Sequence, residues 1–241
     1  DVIDFARSKG WFSGEDSEFS FRDAYCPADF GALRGCEARV WSAFNILSHG
    51  WFTFEETKGN LVTKDAYSYV DYAMGHNPDN RMPLWIKPAK KVTVKNVADV
   101  MRDHYEGTPM DMTTDIGAGG NALPYRWRPM DFEYEGKKYT NERAIATQQT
   151  GFWFVGQARG NYPDVIGGIL WFGTDDAATS YVTPIYSNTE KVPECFRQGN
   201  GNLLSYSATS SFWINNRISN ACYRMYNIMA PYVRERIDKF E

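Results

Sequence analysis

The run VIGGILWFG at residues 165–173 constrains the fold of this chain more than any other stretch. In an extended conformation Ile169 and Trp171 point to one side and Leu170 and Phe172 to the other, so the strand is apolar on both faces. A strand of this kind needs cover on both sides. Because helical patterns surround it, the sequence predicts a layered α/β fold of the α+β type, with helices outside and strands inside.

Two further segments, 143–158 and 180–187, also have strand-like patterns. The polar turn TDDAATS predicts that 165–173 and 180–187 pair antiparallel. Apolar residues at helical spacing predict the helices. These helices cover residues 1–12, 28–48, 94–105 (capped by Thr93 and ended by Gly107), 208–229, and a short final segment that starts near Pro231.

The connections are irregular at residues 75–90 and form a long loop, rich in glycine and proline, at 108–130. Structureless loops of that length inside a compact domain are usually functional or disordered. This loop carries Arg126 and Arg128 on either side of Trp127, which makes it a candidate substrate-gating loop. A structural or solvated role for the two arginines is the alternative.

The composition restricts the classes of partner. Of the 241 residues, 43% are hydrophobic, the formal net charge is −4, and lysines and arginines form no run longer than two. We therefore expect no nucleic-acid partner. No segment reaches the roughly 18 consecutive apolar residues that cross a bilayer, so no membrane span is predicted. Aromatic residues reach 16%, so many large rings must be buried or line a cleft.

The four cysteines, Cys26, Cys36, Cys195 and Cys222, lack CxxC spacing. The absence of this spacing excludes a zinc ribbon, and the positions of the cysteines do not require a disulfide framework. Buried thiols are the expected outcome. No cofactor is predicted.

The stretch RDHYEGTPMDM at residues 102–112 raises the question of a metal site. His104 and Glu106 are two positions apart, whereas helical zinc ligands are four apart, as in HExxH. Only three histidines occur, and no second one is near. The sequence therefore favours a hydrogen-bond network at a helix end, with Arg102 or Asp103 tying down the loop that follows.

Longer motifs carry a family resemblance. The blocks NERAIATQQTGFWFVGQAR, PDVIGGILWFGTDDAATSYVTPIYSN and SFWINNRISNACYRMY resemble the dipeptidase A family of cysteine peptidases, and secernins more distantly. The earlier block PLWIKPAKKVTVKNVADVMRDHYEGTPMDMTTDIGAGG is similar to the same family. The resemblance implies an N-terminal-nucleophile hydrolase with a four-layer αββα fold built on antiparallel strands.

Under this resemblance, residues 1–241 are the C-terminal portion of one αββα dipeptidase domain. Residues 1–130 are mainly helical with the long loop, and 131–241 supply the core strands and the C-terminal helices. The family's nucleophile is a cysteine at the start of the mature chain, with its α-amine as the base. Residue 1 here is Asp1, so we expect the nucleophile to lie outside this chain and the chain alone to be inactive.

The partners follow from the same resemblance. They are the missing N-terminal half of the same protein and a small peptide substrate. A fragment that lacks half of its sheet exposes apolar surface, so a homo-oligomer is the alternative. The compartment stays open, with a slight lean from the resemblance toward an exported bacterial protein.

Several polar residues are candidates for contacts with a peptide. Arg143 could stabilise the oxyanion or hold the substrate carboxylate, or else pair with Glu142. Asp175 and Asp176 could recognise the substrate ammonium, with a solvated turn as the alternative. Gln149 interrupts a predicted strand and needs a polar partner, for which a substrate cleft is one source.

Two functions from different classes remain at this point. The leading interpretation is part of a cysteine dipeptidase. The alternative is a non-catalytic, aromatic-rich module that binds peptides or sugars by ring stacking. A cysteine that follows a signal peptide or an initiator methionine in the preceding segment would favour the enzyme.

Overall fold

The computed structural model describes residues 1–126, 131–141 and 143–241. It is a mixed α and β structure in which the described strands pair antiparallel. The helices are α1 (Val2–Ser8), α2 (Phe21–Tyr25), α3 (Phe30–Ala32), α4 (Ala38–Ser48), α5 (Val70–Ala73), α6 (Val94–Met101), α7 (Asp164–Gly167), α8 (Ser211–Cys222) and α9 (Tyr226–Phe240). The strands are β1 (Trp51–Thr57), β2 (Asn60–Asp65), β3 (Asp131–Tyr134), β4 (Lys137–Thr140), β5 (Phe152–Ala158), β6 (Gly168–Thr174) and β7 (Thr183–Tyr186).

The predicted helix at 28–48 is confirmed as a nearly continuous helical segment. It runs through α3, a π-helical turn at Leu33–Glu37, and α4. It ends at Ser48, as predicted, and is followed by His49, which adopts a left-handed φ of 53°. The hairpin of β1 and β2 that follows was not predicted, and it packs on α4 through Phe52 and Trp41.

The helix predicted at 94–105 begins as expected and ends early. Thr93 caps α6 and exchanges hydrogen bonds with Asn96 in a capping box. The helix ends at Met101 and is capped by Arg102, and the φ of 66° at Tyr105 excludes that residue from a right-handed helix. The acidic residues and the histidine of the 102–112 stretch therefore lie in a turn after the helix.

The three-stranded sheet has the order β5-β6-β7. The antiparallel pairing of the two later strands is confirmed, whereas the strand predicted from 143 is wrong over its first half. Residues 143–151 are irregular, with a turn between Thr147 and Thr150. The loop predicted at 108–130 contains a 3₁₀ helix, Ile116–Asn121.

Within the described chain, one face of this sheet is covered and the other only in part, where the Phe172 ring lies 5.4 Å from the ring of Phe196. Trp153, Val155 and Ala177 are buried with Ala98 of α6. The opposite face leaves Phe152 and Phe154 61% and 51% exposed. The strands in the described part of the chain form one three-stranded sheet and two hairpins, so the four-layer arrangement stays a prediction.

The helix predicted at 208–229 is two helices, and Pro231 lies inside α9 rather than at its start. The buried side of α8 carries Asn215 and Ser219. Asn215 Nδ2 donates to Thr174 Oγ1 at the end of β6 at 3.0 Å, and Ser219 Oγ lies 2.7 Å from Thr179 Oγ1 in the turn that follows. Within the described ranges, no helix combines the length and apolarity needed to cross a membrane.

Arg102 joins three parts of the chain at the end of α6. Its buried guanidinium donates Nε to the carbonyl of Ala177 and Nη2 to the carbonyl of Ser180, both at 3.0 Å. Nη1 donates to Glu241 at 3.0 Å, and the group lies 4.8 Å from the Trp153 ring centroid. The prediction that Arg102 ties down the 108–130 loop is therefore wrong: it binds the 177–180 turn and the end of α9.

Asp103 connects the turn after α6 to α4. Its side chain is buried and accepts a 2.7 Å hydrogen bond from Ser42 Oγ. Burial raises the pKa of Asp103 from 3.8 to about 6, although the Ser42 hydrogen bond opposes this. Ionised Asp103 is thus a cost to the folded state at neutral pH.

We predict that Asp103→Asn stabilises the protein at pH 7 and leaves it unchanged at pH 4. The wild-type carboxyl has a raised folded pKa, so stability falls as pH rises from about 4 to 6, by up to about 3 kcal/mol. The amide oxygen still accepts from Ser42, and we expect a gain of about 1–2 kcal/mol in the free energy of unfolding at pH 7. Urea titrations at both pH values measure this.

The control is Asp23→Asn, because hydrogen bonds from Arg81 and Ser20 lower the pKa of Asp23. That substitution should lower the free energy of unfolding slightly at pH 7, whereas Asp103→Asn should raise it. An equal stability change for Asp103→Asn at pH 4 and pH 7 would contradict the role assigned to the buried charge.

We further predict that Glu241→Ala and Glu235→Ala differ sharply. The side chain of Glu241 is 10% exposed and pairs with buried Arg102, so its removal leaves an uncompensated buried cation and costs about 3 kcal/mol. Glu235 is 59% exposed and pairs with Lys239 on the surface of α9, so its loss should leave the free energy of unfolding nearly unchanged. Thermal and chemical unfolding of the two variants test this, and equal losses would count against the buried pair.

Candidate functional site

A pocket forms where the long loop meets the irregular segment before β5. It brings together three of the predicted site residues, Arg126, Arg143 and Gln149. Arg128, and with it Trp127 and Glu142, lies outside the described residues. The pocket is lined by Met112, Pro124, Tyr125, Arg126, Asn141, Arg143, Ala144, Ala146, Thr147, Gln148 and Gln149.

Arg126 holds the loop together. Its guanidinium forms an ion pair with Asp115 and donates Nη1 to the carbonyls of Leu123 and Tyr125 at 3.0 and 3.2 Å. Gly117 leaves room for it, since a Cβ at that position would lie 2.4 Å from Arg126 Nε. The hydrogen-bonding capacity of this side chain is thus directed at its own loop, and its part in substrate gating stays a prediction.

Arg143 differs from Arg126 in that its side chain is exposed at the pocket. It does not begin a strand, contrary to the prediction. Its main chain is held instead by the turn after α6: Tyr105 Oη donates to the carbonyl of Arg143 at 2.7 Å, and the amide of Ala146 donates to the carbonyl of Asp103 at 3.1 Å. Gln149 is exposed on the same lining.

The turn after α6 is a hydrogen-bonded structure around a left-handed residue. Tyr105 is fully buried, and its φ of 66° costs a non-glycine residue about 1–2 kcal/mol. The amide of His104 donates to Glu106 at 2.7 Å, and its Nδ1 lies 2.9 Å from the same carboxylate. Burial alone would raise the pKa of Glu106, but the hydrogen bonds of His104 lower it.

The network that was predicted around His104 and Glu106 is therefore confirmed. Its position is a turn rather than a helix end. In the described part of the chain, His, Cys, Asp and Glu side chains form no group of three or more that could hold a metal ion.

Asp175 and Asp176 lie in the interior, so the solvated-turn interpretation is wrong. Asp176 is fully buried and accepts hydrogen bonds from Tyr125 Oη, Tyr223 Oη at 3.0 Å and the amide of Ala178 at 3.0 Å. Burial raises the pKa of Asp176 above its usual value.

Asp175 has a left-handed φ of 69°. Its carboxylate accepts from Ser219 Oγ and, at 3.1 Å, from Asn216 Nδ2. Neither aspartate lines the pocket described above. The structure thus separates these two carboxylates from Arg143 and Gln149, and the proposed contact with a substrate ammonium has no support at this pocket.

Two tyrosines were missed by the sequence reasoning. Tyr125 lines the pocket and its hydroxyl donates to Asp176, whereas the hydroxyl of Tyr105 donates to the carbonyl of Arg143. Neither stands out by periodicity or motif. The only signal for Tyr105 was its place before Gly107, within a short turn-forming stretch.

The arrangement places the exposed guanidinium of Arg143 beside amide side chains at one pocket. An exposed guanidinium beside amide side chains matches the two oxygens of a carboxylate. None of the described lining residues is a cysteine. Cys222 is fully buried, and burial raises the pKa of its thiol to about 11, whereas Cys26 and Cys36 are exposed and lie outside the lining. The expectation of buried thiols is thus confirmed for Cys222 and wrong for these two.

Comparison with known proteins gives the affiliation. The chain is 24% identical to a probable dipeptidase B of Lactococcus lactis subsp. lactis (strain IL1403) over 140 residues, which is 58% of this chain and 25% of that protein. It is 25% identical to a probable dipeptidase of Latilactobacillus sakei over 134 residues, 55% of this chain and 24% of that protein. The match spans about a quarter of the length of these relatives. The sequence profile of Peptidase family C69 matches residues 1–239, and the chain belongs to this family of peptidases.

Proposed function

We propose that residues 1–241 provide the carboxylate-binding part of the substrate site in a cysteine-type dipeptidase. The family match supports peptide hydrolysis, and the relatives named above are probable dipeptidases. The observation that carries the proposal is the exposed side chain of Arg143, which stands on a fixed main chain at a pocket inside the matched region.

Arg143 binds the free carboxylate of the peptide. Its planar guanidinium offers parallel N–H groups that match both carboxylate oxygens. Gln149 adds an amide donor on the same lining, and Arg126 keeps the opposing loop in place through Asp115. A dipeptidase needs such a contact, because the distance from the carboxylate to the scissile bond then limits the length of peptide that is cleaved.

The nucleophile is a cysteine outside this chain. Its thiolate attacks the peptide carbonyl, the leaving amine takes up a proton, and water then hydrolyses the thioester to release the acid and regenerate the thiol. An α-amine with a pKa of about 8 is suited to act as the base near neutral pH. The absence of a cysteine among the described lining residues supports a nucleophile outside residues 1–241.

The rest of the same protein covers the open face of the three-stranded sheet. Phe152 and Phe154 are more than half exposed there, and Leu170 of the adjoining strand is 37% exposed. A contiguous apolar face of this kind is typical of a surface that is buried by another layer. A second sheet on this face would complete the four-layer arrangement.

We predict that residues 1–241 alone do not hydrolyse dipeptides, and that activity appears with the remainder of the protein and is abolished by a thiol-blocking reagent.

In that active form, Arg143→Ala should raise KM for a dipeptide about 10-fold or more, since a charge-assisted contact is worth about 1.5–3 kcal/mol. The same variant should change KM little for a dipeptide whose C-terminus is amidated. Arg197→Ala is the matched control, because Arg197 is also exposed and lies outside the pocket lining.

Two outcomes would sink the proposal. Robust turnover by residues 1–241 alone, free of contaminating peptidase, would refute the external nucleophile. An equal change in KM for free and amidated dipeptides would refute the role of Arg143 while leaving family membership untouched.

We also predict that residues 1–241 in isolation self-associate or bind the remainder of the protein through the open sheet face. Phe152→Ser combined with Phe154→Ser should reduce this association in light scattering, because it removes the largest exposed rings from the face. Tyr232→Ser is the control, since Tyr232 is 69% exposed on α9 and away from the sheet face. A wild-type protein that is a monodisperse monomer and does not bind the remainder of the protein would contradict the prediction.

A further inference from the structure

We infer that Tyr105 is a positioning residue for Arg143. It is a buried tyrosine in left-handed backbone whose hydroxyl fixes the main chain of the arginine at the pocket. The inference rests on the proposed function for the role of Arg143 in substrate binding. The contact between the two residues stands independently of that function.

The segment that carries Arg143 has no regular secondary structure. Residues 143–149 belong to no helix and no strand, so their position depends on contacts with other parts of the chain. Two hydrogen bonds connect the segment to the turn after α6: Tyr105 Oη to the carbonyl of Arg143, and the amide of Ala146 to the carbonyl of Asp103. These bonds bracket Ala144, which is buried in the same core as Tyr105 and lines the pocket.

The backbone of Tyr105 adopts a strained conformation, and the contact with Arg143 depends on it. A φ of 66° is rare for a residue with a large side chain, and such conformations persist where the surroundings over-determine them. On one side, His104 is bonded to Glu106. On the other, Thr108 donates its amide and its hydroxyl to the carbonyl of Tyr105, at 3.1 and 2.7 Å.

The same strain turns the tyrosine away from the path of α6. A helix continued to residue 105 would carry the ring around the helix axis, whereas the left-handed turn sends it into the core with its hydroxyl at the carbonyl of Arg143. The bond fixes the main chain and leaves the guanidinium exposed for a ligand. Loss of the hydroxyl therefore loosens the base of the side chain and weakens binding of the substrate carboxylate, with little effect on the chemical step.

Tyr105→Phe tests this in the active form, because it removes only the hydroxyl and keeps the ring. We expect KM for a dipeptide to rise about fivefold with kcat nearly unchanged, the size of one ordinary hydrogen bond. In an Arg143→Ala background the same substitution should add nothing further to KM. Tyr105 replaced by 4-aminophenylalanine, which restores a donor, should recover most of the lost affinity.

A second measurement does not depend on catalysis. Trypsin cleaves after arginine, and the bond from Arg143 to buried Ala144 should be cut several-fold faster in Tyr105→Phe under native conditions. Tyr72→Phe is the matched control: Tyr72 is buried in the same core, and its hydroxyl accepts from Arg22 instead. It should not change cleavage at Arg143.

The outcomes separate the two ideas. If Tyr105→Phe leaves both the cleavage rate at Arg143 and the Arg143-dependent KM at wild-type values, the positioning role is overturned. Equal effects of Tyr105→Phe in the presence and absence of Arg143 would show a general structural role and also overturn it. If Arg143→Ala leaves KM unchanged while trypsin cuts Tyr105→Phe faster at Arg143, the contact is upheld and the proposed function fails.

Discussion

The buried guanidinium of Arg102 is the interaction on which the second half of this structure depends. It replaces its lost hydration with the carbonyls of Ala177 and Ser180 and with the carboxylate of Glu241. One side chain thus joins the end of α6, the turn between β6 and β7, and the end of α9. A neutral side chain would leave the carboxylate of Glu241 without an opposite charge, and lysine lacks the forked geometry that reaches several of these acceptors at once.

The end of α6 at Arg102 determines how the candidate pocket is built. Beyond it, the chain enters the turn in which Tyr105 takes a left-handed conformation and reaches Arg143. A second tyrosine, Tyr125, joins the loop wall of the pocket to the buried carboxylate of Asp176. Both walls of the pocket are therefore anchored through tyrosine hydroxyls to the interior, while Arg143 itself remains open to solvent.

Local signals were sufficient where the structure is decided locally. The Thr93 cap, the long helical segment before His49 and the antiparallel strand pair follow from spacing and turn chemistry within a few residues. The rest is decided by distant partners. Asp176 reads as a turn residue, but it is buried by a tyrosine 51 positions away, and residues 143–149 look like a strand but bond to the carbonyl of Asp103. The family affiliation came from long motifs, which carry more information than any single candidate residue.

The partners of Arg102 also set an order of events during synthesis of the chain. The carbonyl acceptors lie 75 and 78 positions downstream and Glu241 lies 139 positions downstream, so this charge has no neutralising partner when α6 first emerges. Contacts of such wide sequence separation form late and slowly. The pocket residue Arg143 is held by Tyr105, three residues after Arg102, and consequently takes its final position only after the chain as far as residue 241 has been made. Until then the segment between α6 and β5 is exposed to chaperones and proteases.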